Sequence, residues 1–141
     1  MDREIRTAAK WWANHLRGPV EMDNGDALQS SFASMFSSRN KPLTKEQIAT
    51  FEIELAKEIK LYIEDSFNEA VAEGNPRWGS GIRVIAVDYH PMKLMKEAAC
   101  RAGFDLGMTR LPIKTCMWIN PGEVSVACGY GSDQVTLDLL N

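Results

Sequence analysis

The stretch "LPIKTCMWINPGEVSVACGYGS", residues 111–132, reads as two strands joined by a tight turn. Apolar and β-branched residues fill both arms, and Pro121-Gly122 stands between them. Such residues favour strands, and a Pro-Gly pair suits the two central positions of a type II turn. With that pair in the turn, Ile119 faces Val124, Met117 faces Val126, Thr115 faces Cys128 and Ile113 faces Tyr130. This face is then apolar almost throughout. A three-residue loop would set Ile119 against Glu123 and Met117 against Ser125, and a slip of one residue turns every side chain to the opposite face. The two-residue register is therefore predicted, even though a type II turn twists less favourably for a hairpin than the mirror-image types.

The second face of the hairpin carries Lys114, Cys116 and Trp118 opposite Gly129, Ala127 and Ser125. Small residues between a cation and an indole leave a shallow depression suited to an anionic or planar ligand, or to an acidic partner residue. The plainer alternative is that Cys116, Ala127 and Trp118 pack under a helix while Lys114 reaches out at the edge. Asp88 and Tyr89 end the preceding strand, where α/β units gather sites. "GYGS", residues 129–132, offers backbone N–H groups but lacks the lysine and helix of a phosphate loop. The candidate partner- or ligand-binding residues are Lys114, Trp118, Asp88, Tyr89 and Tyr130, joined by Trp11 from the N-terminal helix. No catalytic set, metal ligand set or cofactor motif is read. His15 and His90 stand at no ligand spacing, and the three cysteines form no C-x-x-C.

Outward from the hairpin, "IRVIAVDY", residues 82–89, reads as a strand and "HPMKLMKEAACRAG" as a helix, with Pro91 in its first turn and Gly103 as its stop. Together with the hairpin they make a β-α-β unit. "DQVTLDLLN" adds an edge strand through Val135, Leu137 and Leu139. The N-terminal half is helical. "DREIRTAAKWWANHLRG" sets Ile5, Ala8, Ala9, Trp12 and Leu16 on one stripe, closed by Gly18 and Pro19, with Trp11 turned partly away. Asp26, after the turn signal "DNGD", caps a short helix bearing Leu28, Phe32, Met35 and Phe36. The long segment from Lys41 to Pro76 opens on a capping box, Thr44 with Gln47. Its stripe runs through Ile48, Phe51, Leu55, Ile59, Tyr62, Ile63, Phe67, Ala70 and Val71. The expected fold is α+β: one domain over residues 1–141, its helical half at 1–75 packed on a small sheet of three or four strands within 76–141.

The bulk composition bounds the function. A chain of 141 residues with 45% hydrophobic and 25% charged residues is an ordinary globular composition. A net charge of −3 and a pI near 5.4 argue against direct nucleic-acid binding. Three cysteines and no secretory signal imply reduced thiols in a cytoplasm, and no apolar run is long enough for a membrane helix. The long helix suggests a homodimer.

Four segments, "AAKWWANHLRG", "DNGD", "VDYHPMKLMKEAACRAG" and the hairpin itself, resemble a group of small uncharacterised bacteriophage and prophage accessory proteins. That resemblance implies an anti-CRISPR or other anti-defence protein: a non-enzymatic inhibitor in the bacterial cytoplasm that binds a host defence protein. The alternatives are a sponge that sequesters a small nucleotide signal through Lys114, Asp88, Tyr89 and Tyr130, and a small enzyme using the same residues.

Overall fold

A computed structural model describes residues 1–17, 42–107, 110–129 and 131–141. Among these residues three α-helices and four strands run in the order α1 (Asp2–Asn14), α2 (Lys45–Glu73), a 3-10 turn (Ser80–Ile82), β1 (Val84–Val87), α3 (Lys93–Arg101), β2 (Thr115–Asn120), β3 (Glu123–Cys128) and β4 (Val135–Leu137). The Asp26-capped helix and the closing pair Gly18-Pro19 fall outside the described residues.

The strands form one antiparallel sheet in the order β1-β2-β3-β4. In the hairpin Ile119 pairs with Val124, Met117 with Val126 and Thr115 with Cys128, the register that alternation predicts. Gly122 at φ 77° supplies the positive angle a type II turn needs at its second central residue. The tail strand is also present, with Val124 opposite Leu137 and Val126 opposite Val135. The helix α3 links β1 and β2 as antiparallel neighbours.

All three helices cover one face of this sheet. Ile85, Val87, Met117, Ile119, Val124 and Val126 point from the strands into a cluster with Trp12 of α1, Phe51, Leu55, Ile59 and Ile63 of α2, and Met95, Ala98 and Ala99 of α3. The predicted capping box starts α2: Thr44 Oγ1 accepts from the Gln47 N–H and Gln47 Oε1 accepts from the Thr44 N–H, both at 3.0 Å. The Gln47 amide also donates to the Gly103 carbonyl at 3.1 Å, tying the start of α2 to the end of α3. Gly74, at φ 66°, ends α2 in the left-handed conformation.

Burial on α2 follows the four-residue row Phe51, Leu55, Ile59, Ile63, Phe67. Tyr62 and Val71 lie off that row and are exposed, so the core stripe is narrower than the sequence suggests. The strands are shorter than read. β1 begins at Val84 because Ser80–Ile82 turns as a 3-10 helix, and β2 begins at Thr115 because the backbone leaves strand geometry at Lys114. The expected Ile113–Tyr130 pair is therefore not part of the ladder, and Tyr130 lies outside the described residues. No helix among the described residues is long and apolar enough to cross a membrane.

Candidate binding surface

Lys114 has φ 56°, the one positive φ at a non-glycine residue among those described. An L-residue in this region costs roughly 1–2 kcal/mol, so its surroundings hold it there. Two backbone bonds do so. The Lys114 N–H donates to the Asp88 carbonyl at 2.8 Å, and the Lys114 carbonyl accepts from the Gly129 N–H at 2.7 Å. Lys114 thus sits where the ends of β1 and β3 meet the start of β2. Its side chain turns over the Tyr89 ring, with Nζ 5.4 Å from the centroid, within cation–π range. Tyr89 is 48% exposed, and Ile113, the residue before Lys114, is 43% exposed.

The structure therefore brings Lys114, Asp88 and Tyr89 together. Trp118 shares the outer face of the sheet, between Val84 and Ser125, but lies four residues along β2, about 13 Å from Lys114 at normal strand rise. It is half-buried, as is Cys116, while Ser125 and Ala127 beneath them are buried. Trp11 belongs to a different place: α1 packs on the opposite face of the sheet, so Trp11 shares no surface with Lys114. A cleft of about 560 Å³ is lined by His90, Lys96, Cys100, Phe104 and Asp105 among others, and includes neither Lys114 nor Tyr89. Among the described residues no group of three or more His, Cys, Asp or Glu side chains is placed to hold a metal ion, and the three cysteines are free thiols.

Sequence reasoning passed over Arg83. It is fully buried, and its guanidinium donates from Nε to the Ile119 carbonyl at 2.8 Å and from Nη1 to the Trp78 carbonyl at 2.7 Å. Nη1 also reaches Ser66, and Nη2 reaches the Pro76 carbonyl at 3.1 Å and Asn120 Oδ1 at 2.8 Å. Burial lowers its proton affinity, and the converging carbonyl dipoles offset that cost. The signal was available: an arginine in front of a run of buried β residues raises the same question as a lysine in front of "TCMWI". The exposed Trp78 and Ile82 stand on the turn this guanidinium organises. At the surface, Arg101 pairs with Glu58, whose carboxylate raises the guanidinium's proton affinity.

Comparison with known proteins adds the family context. The sequence model described as "BTG family" matches residues 27–138. No curated protein matches significantly. A solved structure of the C. elegans FOG-3 BTG/Tob domain, carrying two substitutions, has a similar fold, with a TM-score of 0.69 and 15% identity over 100% of this chain and 84% of that one. At that identity the likeness concerns the fold.

These findings overturn the resemblance to bacteriophage and prophage accessory proteins. With it go the anti-CRISPR or anti-defence function and the host defence protein as partner, and the bacterial cell as location is left without support. The nucleotide sponge and the small enzyme gain no support. The phage likeness leaned on small size and mild acidity, which chains of unrelated origin share. The family match instead covers the hairpin and the elements around it.

Proposed function

The chain belongs to the BTG family, and from that premise we propose that it is a non-enzymatic domain that works by holding a protein partner on the outer rim of its sheet. Tyr89, Ile113 and Lys114 form the centre of that surface, Asp88 flanks it, and Trp118 extends it along β2. The observation that carries this reading is the placing of Lys114. A strained backbone, fixed by bonds to Asp88 and Gly129, holds an ammonium against an exposed aromatic ring, and the residue before it in the chain, Ile113, is an exposed isoleucine. An exposed tyrosine is the kind of aromatic anchor that interface hot spots are built on, with a lysine suited to the polar rim around it. Strain kept at a surface position is more at home in recognition than in packing. An apolar partner side chain would cover Tyr89 and Ile113.

The experiment is capture of proteins from an animal-cell extract on the immobilised domain, compared with Tyr89→Ala, Ile113→Asp and Trp118→Ala. Each variant is first checked for native circular dichroism and melting. The expected result is one protein retained at fixed stoichiometry by the parent and lost on Tyr89→Ala and Ile113→Asp. Equal retention by all three variants would remove this surface from the function.

A further inference from the structure

The two margins of the sheet are built differently. At the β1 margin Val87 is bridged by Pro91, and the Ala86 N–H donates to Met92 Sδ at 3.2 Å. A proline and a thioether leave little backbone there for another strand. At the other margin is β4, and among the described residues no strand pairs with its outer side. Val135 is 60% exposed, Thr136 is exposed and Leu137 is half-buried. None of the usual edge guards, lysine or proline, lies within Val135–Leu137. Two exposed carboxylates, Asp133 and Asp138, flank it instead.

A socket adjoins this margin. The chain leaving β4 is strapped to α1: Arg3 Nε donates to the Leu140 carbonyl at 3.0 Å, and the Leu140 N–H donates to Thr7 Oγ1 at 3.0 Å. Between strap and helix lies a shallow, open depression of about 180 Å³, lined by Thr7, Lys10, Trp11 and Asn14 of α1 and by Leu137 and Leu140. Asp138 borders it. This is below the range of small-molecule sites and matches a single side chain. Its aromatic wall is fixed, since Trp11 stacks on His15 at 3.8 Å and stands edge-on to Trp12 at 4.9 Å.

We propose that the outer edge of β4 and the Trp11 socket together receive an extended segment of a partner protein, which adds a fifth strand and seats one apolar side chain against Trp11. Main-chain bonds to β4 supply affinity, and the socket sets the register. Asp133 and Asp138 select a segment with basic residues on both sides of its apolar centre. Lys10 in the socket wall disfavours a basic anchor, which confines the partner's cations to the flanks. The site uses none of the residues around Lys114.

The probe is a fluorescein-labelled peptide, Lys-Thr-Val-Thr-Leu-Thr-Val-Lys, followed by fluorescence anisotropy with the full chain. Saturable binding is expected. It should weaken by about tenfold or more for Trp11→Ala and for a peptide in which prolines replace the threonines. The double variant Asp133→Lys, Asp138→Lys should prefer Glu-Thr-Val-Thr-Leu-Thr-Val-Glu, the same probe with glutamates at both ends, to the Lys-ended one. Both positions are exposed, so this variant keeps the proposal testable if Trp11→Ala fails to fold. Tyr89→Ala should bind like the parent, which separates this site from the surface proposed above. Absence of saturable binding, equal binding of the proline peptide, or sedimentation showing β4 already covered by a second copy of the chain would each overturn the proposal.

Discussion

Arg83 Nη1 donates to Ser66 Oγ at 2.7 Å and to the Ser66 carbonyl at 3.1 Å, so the residue before β1 is fastened to the last third of α2. The same guanidinium reaches the end of β2 through Ile119 and Asn120 and the connecting turn through Pro76 and Trp78. One cation thereby joins a helix, a turn and two strands far apart in sequence.

Removing this group leaves several buried acceptors without donors. Arg83→Ala is expected to lower stability by about 3–5 kcal/mol in urea denaturation, the range for breaking a buried charged network. Arg83→Lys should lose nearly as much, because an ammonium cannot reproduce the planar fork. A lysine variant within about 1 kcal/mol of the parent would show that the charge, and not the geometry, does the fastening.

Gly74 and Gly79 separate backbone strain from crowding. They have nearly equal angles, φ 66° and φ 69°. A Cβ on Gly74 meets nothing within 4 Å, whereas one on Gly79 would lie 2.9 Å from Ser66 Oγ and 3.3 Å from Arg83 Nη1. Gly74→Ala should therefore cost only the left-handed penalty, about 1 kcal/mol. Gly79→Ala should cost a further 1–3 kcal/mol or so by disturbing the Arg83 network. Equal melting shifts for the two variants would contradict this account.

Lys114 gives a third test, in which backbone and side chain are read apart. Lys114→Gly relieves the positive φ and should leave stability level or raise it by up to about 1 kcal/mol. Lys114→Val should lower it by about 1–2 kcal/mol, since a β-branched residue resists that conformation. Both remove the ammonium from Tyr89, so both should weaken partner capture. A glycine variant that is stable and still captures the partner fully would confine the role of Lys114 to the turn.

The sequence carried the local geometry far. The pairing of Ile119 with Val124 and of Met117 with Val126 follows from strict alternation around Pro121-Gly122, because a slip would expose one whole apolar face. The capping box of Thr44 and Gln47 and the stop at Gly74 are equally local, since each side chain or angle serves a backbone group within a few residues. Lys114, Asp88 and Tyr89 were legible as candidates because each ends or precedes an apolar run. The family was not legible from size, charge and impression.

Other features needed the folded chain. That Asp88 meets Lys114 depends on β1 lying beside β2, which strand length and pattern leave open. That Trp11 faces a socket under the C-terminal strap, and not the Lys114 rim, depends on α1 covering the opposite side of the sheet. Arg83 is the clearest case. Its five N–H groups are satisfied by residues from three separate segments, and no short-range pattern encodes acceptors that distant. Periodicity and caps are fixed by neighbours along the chain, so sequence determines them. The environment of a buried cation and the surface a tryptophan occupies are fixed by groups brought near in space, and only tertiary packing decides which groups those are.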